Sequence, residues 1–423
     1  MGPMSAPPPK PRFDDPDAGL ISVEQARNRI LAALPLLAAE TVPIQQAHGR
    51  VTAEDLAARL THPPDPVSAM DGYALRSEDV GEMPLRLRKI GVSRAGERFK
   101  GALTPGACIR IFTGAVIPEG ADVIALQEDA EEAGDEVILR EVAPKGRFIR
   151  KAGMDFSVGQ VLVPAGRALT ARDVGLLASS GHGEVAVRRR PRVAILSTGD
   201  ELVPPGAIPG PDQIVGSNGI ALAAAVQSWG AEAVEIGIAS DRTDAIAEAS
   251  DKARGADILI TSGGASVGDH DLVQAGFAER DFKTDFWRIA MRPGKPLMFG
   301  HIGELPVLGV PGNPVSALVC AMLFLRPALR KMTGMAETLA PFDRARLTVA
   351  MGPNDKREEY GRGKLERGAD GVLRVTPFGA QDSAMQKLLA HADCLIRRAP
   401  HAPAAAEGDE VEIVRLDLVE GGF

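Results

Sequence analysis

Ser197-Thr198-Gly199-Asp200-Glu201, Ser262-Gly263-Gly264-Ala265-Ser266-Val267-Gly268-Asp269, Arg292-Pro293-Gly294-Lys295-Pro296 and Pro311-Gly312-Asn313-Pro314-Val315-Ser316 punctuate residues 192 to 331, each following an apolar run that reads as a β-strand. Strands are expected at 192–197, 234–238, 257–261, 297–299 and 307–310, and helices at 220–229, 244–254, 272–279 and 315–331. Such βα alternation implies right-handed crossovers and a mainly parallel sheet. In an open sheet of this kind the turns leaving the strand C-termini line one crevice, where free backbone N–H groups and helix N-termini face an anion. The expected ligand is phosphorylated.

Outward from this unit the pattern changes. Residues 22–37 read as a helix with Ser22 as N-cap and apolar Ala26, Ile30, Leu31 and Leu34 at three- and four-residue spacing. Residues 62–145 hold short β-type runs at 85–92, 108–112, 123–125 and 136–142, separated by glycine and proline. Helical spacing returns at 170–178, so the β unit reads as an insertion into a helical linker domain formed by both flanks. Strands at 345–351, 371–376 and 410–414 close the chain with a small β-domain. The expected fold is multi-domain α/β plus β. A Pro-rich leader occupies 1–17, a discontinuous helical linker domain 18–61 and 146–188, the inserted β domain 62–145, the α/β domain 189–333 and the C-terminal β-domain 334–423.

Composition narrows the function classes. The 423 residues are 45% hydrophobic but only 4% aromatic, so aliphatic packing dominates and base-stacking residues are scarce. A formal charge of -8 gives no general attraction for nucleic acid, and any phosphate site must be built locally. Cys108, Cys320 and Cys394 are far apart without metal-type spacing, which fits a reducing cytosol. The leader has no apolar run of signal-peptide type, and the longest apolar run, 315–325, is too short to span a bilayer. A cytoplasmic protein without membrane or nucleic-acid partners is expected.

Each turn has its own chemistry and an ordinary structural alternative. Asn313 suits a helix N-cap and Pro314 the first helical position, while Gly312 permits close backbone approach; an ordinary capped helix has the same residues. The glycines and serines of 262–268 can curl into an anion nest, or simply connect a strand to a turn. Asp269 and Asp271 beside such a nest fit a divalent cation, or are solvated loop acids. Arg288, Arg292 and Lys295, the last between two prolines, form either a held oxyanion site or a solvated basic face. Asp71-Gly72 reads as a turn, and 150–155 as a loop of mixed charge.

Taken in order, the sets at 68–74, 113–115, 150–155, 197–201, 262–271, 292–296 and 311–316 resemble the molybdopterin molybdenumtransferase family, which includes the bacterial MoeA proteins and the gephyrin E domain. The resemblance runs from about Leu20 to Leu416. It implies an elongated homodimer with a central α/β domain of the molybdopterin-binding type, the discontinuous linker, the inserted β domain and a C-terminal β-barrel. It also implies a Mg²⁺-assisted reaction in which adenylylated molybdopterin and molybdate give molybdenum cofactor and AMP. The implied partners are an upstream molybdopterin adenylyltransferase and downstream apo-molybdoenzymes or cofactor-modifying enzymes.

Residue by residue, the resemblance implies catalytic roles for Asp71, Thr113, Asp155, Glu201, Asp241 and Asp271, with Glu201, Asp241 and Asp271 governing Mg²⁺. Asp71 and Thr113 are expected to enter the cleft from the partner subunit. Implied substrate contacts are Ser197, Thr198, Gly199, Ser217, Asn218, Ser262, Gly263, Gly264, Ser266, Arg288, Arg292, Lys295, Pro311, Asn313, Pro314 and Ser316, with Arg362 and Ser383 from the barrel. The chain departs from the family at Asp382 and Ala384, where glycines are frequent, at Leu388, where serine is common, and at Gly216, where an aromatic residue is. Two other functions share parts of this pattern: a molybdopterin adenylyltransferase, whose resemblance is confined to the α/β part, and a non-catalytic molybdopterin-binding scaffold.

Overall fold

The computed structural model describes residues 20–263, 272–336, 339 and 342–416. At its centre lies a six-stranded sheet of Arg192–Thr198 (β1), Glu232–Ala239 (β2), Ile258–Ser262 (β3), Phe282–Trp287 (β4), Met298–Ile302 (β5) and Leu305–Val310 (β6), in the order β2-β1-β3-β6-β5-β4. β2, β1, β3 and β6 are parallel. Their runs are apolar without interruption because a strand covered on both faces has no solvent side. Ile258 and Ile260 pack with Val193, Ile195 and Leu308 on one face, while Leu259 packs with Ala194, Leu196 and Val307 on the other. Val23–Ala33, Asn218–Ser228 and the continuous rod from Pro314–Cys320 through a π-helical turn at Ala321–Leu325 to Arg326–Met332 cover the first face. Thr243–Asp251 and Leu272–Ala278 cover the second.

The βα alternation stops at β5. Only Gly303 and Glu304 separate β5 from β6, too few residues for a crossover helix, so the two form an antiparallel hairpin. β4, a polar edge strand unread in the sequence, is antiparallel to β5. This reversal keeps the turn at 292–296 with the others: Met298, at the start of β5, pairs with Gly309 near the end of β6.

The first helix ends at Ala33 rather than at 37, because Leu34 precedes a proline and is extended at φ -97, ψ 132. Ser22 and Gln25 cap its start reciprocally, both bonds at 3.0 Å. Its buried residues join the central core. Between the flanks, Ala39–Pro43 pairs with Glu184–Arg188, and Leu56–Ala57 with Val161–Val163. These short ladders share a core of Val42, Leu56, Val163, Leu177 and Val185 with the helix Ala171–Ser179.

The inserted segment forms a second six-stranded sheet, ordered Val123–Leu126, Gly72–Leu75, Ala107–Ile111, Leu85–Ser93, Glu136–Leu139, Ala130–Ala133. Asp71-Gly72 is therefore not a turn: Gly72 opens an interior strand, opposite Ile111 on one side and Leu126 on the other. A Cβ there would lie 1.9 Å from the Ala125 carbonyl oxygen, so strand packing, not turn dihedrals, demands glycine. The C-terminal strands Asp343–Leu347, Glu358–Arg367, Leu373–Pro377, Cys394–Arg398 and Glu410–Arg415 close into a barrel, because Glu358–Arg367 pairs with both Leu373–Pro377 and Cys394–Arg398. Two of these five, Glu358–Arg367 and Cys394–Arg398, are missed by the sequence reading, since their charges and glycines hide the alternation. Met291–Arg292 pairs with Glu358–Glu359 and joins the barrel to the central unit. All three cysteines are free and buried, and no helix among the described residues is long and apolar enough to cross a membrane.

Gly72→Ala is expected to destabilise the protein by about 1–3 kcal/mol through forced overpacking. Denaturant unfolding of the purified variant checks this, and an unchanged midpoint contradicts the packing argument.

Candidate functional site

Three of the four turns, with Pro296 from the other, line one cleft of ≈ 580 Å³. Ser197, Thr198, Gly199 and Glu201 enter from the end of β1, Ser262 and Gly263 from β3, and Pro311, Gly312, Asn313 and Pro314 from β6. Ser217, Asn218 and Asp241 also line it.

The turns are held together by short polar contacts. The Asn218 amide nitrogen donates to Ser262 Oγ at 2.8 Å and to the Gly312 carbonyl at 2.7 Å. Gly263 sits at φ 102, and a Cβ there would come within 2.3 Å of the Thr198 carbonyl oxygen. Glycine thus lets the first and second turns touch. Asn313 is the residue before the helix and Pro314 its first residue, as expected, but the Asn313 side chain makes no capping bond. It donates instead to Ser383 Oγ at 3.0 Å, and Val315 N donates to the Ser383 carbonyl at 3.1 Å. The barrel is docked on this turn.

Barrel residues also enter the cleft. Ala384 and Gln386 line it, and Gln386 Nε2 donates to Ser217 Oγ at 2.7 Å. Sequence reasoning missed Gln386; its neighbourhood to Ser383 was the available signal. It also missed Asp200, whose Oδ1 accepts from Asp241 N at 3.0 Å. Leu202 and Ile214 are further unanticipated walls, beside Val215, Gly216 and Pro296.

The cleft is acidic. Glu201 and Asp241 line it, and no arginine or lysine is among its described lining residues. Asp241 is held above the ordinary aspartate range, first by burial and then by the negative charges of Asp200 and Glu201. Among the described residues no three His, Cys, Asp or Glu side chains converge as a metal site. Gly264, Ser266, Asp269 and Asp271, part of the expected nest and metal site, lie outside the described residues. Thr198 Oγ1 is buried without a hydrogen-bond partner among the described residues.

None of the expected cations is in the described cleft lining. Arg288 is buried at φ 86 with its guanidinium 4.7 Å from the Trp287 ring centroid. Arg292 pairs with Glu359 at 2.9 Å and Asp355 at 3.5 Å, so barrel carboxylates neutralise it. The Lys295 carbonyl accepts from Ile289 N and Leu297 N, both at 3.0 Å. Ser316 is buried in the helix that follows the last turn. Arg362 is 1% exposed, and its Nε and Nη2 have no partner among the described residues. It shares a strand face with Tyr360, which packs in the central core, so its guanidinium is buried towards the α/β unit.

Asp71, Thr113 and Asp155 are not in this cleft. Thr113 N and Oγ1 donate to Asp71 Oδ1 at 2.7 and 2.8 Å beside the inserted sheet. Asp155 is exposed near the linker, its N donating to the His62 carbonyl at 3.1 Å.

The comparisons with known proteins agree along the chain. Residues 21–181 match the MoeA N-terminal region (domain I and II), 194–331 a probable molybdopterin binding domain, and 344–416 the MoeA C-terminal region (domain IV). A molybdopterin molybdenumtransferase of a Nostoc species is 39% identical over 389 residues, covering 89% of this chain and 88% of the relative. Molybdopterin molybdenumtransferase 2 of Mycobacterium tuberculosis is 35% identical, covering 88% and 94%. The crystal structure of a molybdopterin biosynthesis MoeA protein from Pyrococcus horikoshii superposes with TM-score 0.81 at 32% identity, covering 94% of this chain and 99% of that one.

The Thr113 bonds, backbone first and hydroxyl second, hold the Asp71 carboxyl below the ordinary aspartate range. Stability from this contact is therefore present at neutral pH and is lost as pH falls through that lowered value. Thr113→Val, which keeps the backbone bond, is expected to move the Asp71 pKa only part of the way up. Carboxyl-carbon NMR titration reads this, and an unmoved titration contradicts the assigned hydroxyl bond.

Proposed function

Because the chain belongs to the MoeA family of molybdopterin molybdenumtransferases, we propose that it is the molybdenum insertase of cofactor biosynthesis, converting adenylylated molybdopterin and molybdate into molybdenum cofactor and AMP. The observation that carries this reading is the convergence of the turns after β1, β3 and β6 on one cleft whose lining holds carboxylates and no cationic side chain. Open α/β sheets bind phosphorylated ligands at this edge.

An acidic cleft repels a pyrophosphate unless a cation lies between them. The raised Asp241, crowded by the charges of Asp200 and Glu201, fits a divalent ion that relieves this repulsion. Glu201 and Asp241 would hold Mg²⁺, with Asp271 as a third acid. When bound, Mg²⁺ supplies Lewis-acid polarisation of a phosphoanhydride.

The chain's own groups do the rest. Backbone amides of the turns after β1 and β3 bind phosphoryl oxygens, and the Asn218 amide keeps the turns after β3 and β6 in register. Gly264 and Ser266, which the family resemblance assigns to substrate contact, would join them. The orphaned Nε and Nη2 of buried Arg362 favour an oxyanion at the barrel junction, with Ser383 beside it. Arg288 and Lys295 would add positive potential for molybdate, whereas Arg292 is already paired with barrel carboxylates. No covalent nucleophile is required: positioning molybdate oxygen and dithiolene sulfur together lowers the barrier.

Asp71, Thr113 and Asp155 lie outside the cleft of their own chain, which supports a homodimer in which a partner's inserted domain completes the site. The protein would then work in the cytoplasm between a molybdopterin adenylyltransferase and apo-molybdoenzymes or cofactor-modifying enzymes.

Incubation with adenylylated molybdopterin, Mg²⁺ and molybdate is expected to release AMP in a molybdate-dependent manner and to activate a cofactor-free molybdoenzyme. Asp241→Ala should lower AMP release by about 100-fold or more, the scale of a lost transition-state charge contact. Asp71→Ala and Asp241→Ala proteins, each inactive alone, should regain activity after subunit exchange. Ligand binding without turnover overturns the insertase reading, and absence of complementation overturns the shared cleft.

A further inference from the structure

A second concavity, of ≈ 280 Å³, lies where the linker ladders meet the central unit. Arg50, Arg188, Arg189, Arg190, Arg330 and Trp229 are among its walls. Such a concentration of guanidinium groups is unusual in a chain of net charge -8. Two of the arginines are matched. Arg189 forms a bidentate pair with Asp257 at 2.7 and 2.6 Å, and Arg50 pairs with Glu40.

Arg188 and Arg190 are not matched. Arg188 donates to the Leu37 carbonyl at 3.1 Å and the Ala53 carbonyl at 3.3 Å, and Arg190 to the Gly230 carbonyl at 3.0 Å. Neither has a carboxylate partner among the described residues. A guanidinium carries about five N–H donors, so most of those on both side chains remain for another acceptor. Arg50 lies beneath them, its side chain only 8% exposed and its Nη2 2.9 Å from the Arg188 carbonyl oxygen. Burial and the Arg50 charge disfavour the charged form of Arg190, and the Glu40 carboxylate offsets this only in part. Like charges held together in a small cavity are stabilised by an anion that bridges them.

We infer that this junction cavity is an anion site separate from the main cleft, taking a phosphate-class dianion between Arg188 and Arg190. The arginines belong to the segment leaving the linker, while Gly230 and Trp229 follow the helix Asn218–Ser228 on the central unit. A bound dianion therefore ties the two units together. Either free phosphate or the phosphate of a nucleotide has the required chemistry.

Trp229 provides a local reporter, because the chain has only 2 tryptophans and Trp287→Phe leaves it alone. Full-length Trp287→Phe protein is titrated at constant ionic strength with inorganic phosphate and, separately, with AMP. A saturable change in Trp229 emission is expected, weakened at least tenfold by Arg190→Glu and less by Arg190→Gln, and unchanged by Asp241→Ala in the main cleft. Melting curves identify any variant that does not fold, and Arg190→Gln then serves alone. Comparable affinity for both ligands identifies free phosphate as sufficient; binding of AMP alone identifies a nucleotide source. No saturable change with either, equal affinity in the folded Arg190 variants, or loss of the signal in Asp241→Ala overturns the inference.

Discussion

The side-chain amide of Asn218, bonded at once to Ser262 Oγ and the Gly312 carbonyl, fixes the distance between the turns after β3 and β6. Turns are the mobile parts of an α/β unit, and backbone amides bind an anion well only if they are already in place. Gly263 adds a steric condition, since its backbone lies where any Cβ would strike Thr198. From this tie the contacts extend outward: Asn313 reaches Ser383, Gln386 reaches Ser217, and the barrel is thereby docked on the cleft rim. The sheet supplies the edge, and these few polar contacts turn it into a site.

Electrostatics gives the edge its character. Backbone amides offer only partial positive charge, and the side chains lining the cleft contribute Glu201 and Asp241 rather than cations. The arginines are placed elsewhere: Arg292 is spent on barrel carboxylates, Arg288 lies over Trp287, and Arg362 is buried with donors to spare. The cleft walls are thus acidic, and the guanidinium groups of Arg288, Arg292 and Arg362 lie outside its lining.

Much of this was legible in the sequence because parallel strands are apolar on both faces and their turns are rich in glycine and proline. The ends of β1, β3 and β6 were readable for that reason, and Ser197, Thr198, Gly199, Glu201, Ser262, Gly263, Pro311, Asn313 and Pro314 fall in the cleft. Long-range pairing was not legible. The β5–β6 hairpin broke the alternation only because two residues cannot hold a crossover, and Gly72 proved to be a packing requirement whose opposing carbonyl is distant in sequence. Charge-rich barrel strands such as Glu358–Arg367 carry too little alternation to read. Gln386 was signalled only by its neighbourhood to Ser383, since its bond is to a serine 169 positions away. The Arg288, Arg292 and Lys295 spacing suggested one cluster, but local backbone and barrel contacts direct those residues differently.

The most direct test is a crystal structure of the full chain with AMP and Mg²⁺. The account predicts the phosphate against the amides near Gly199 and Gly263, with the cation between it and the Glu201 and Asp241 carboxylates. AMP bound with its phosphate away from these turns, or Mg²⁺ bound without either carboxylate, would contradict it.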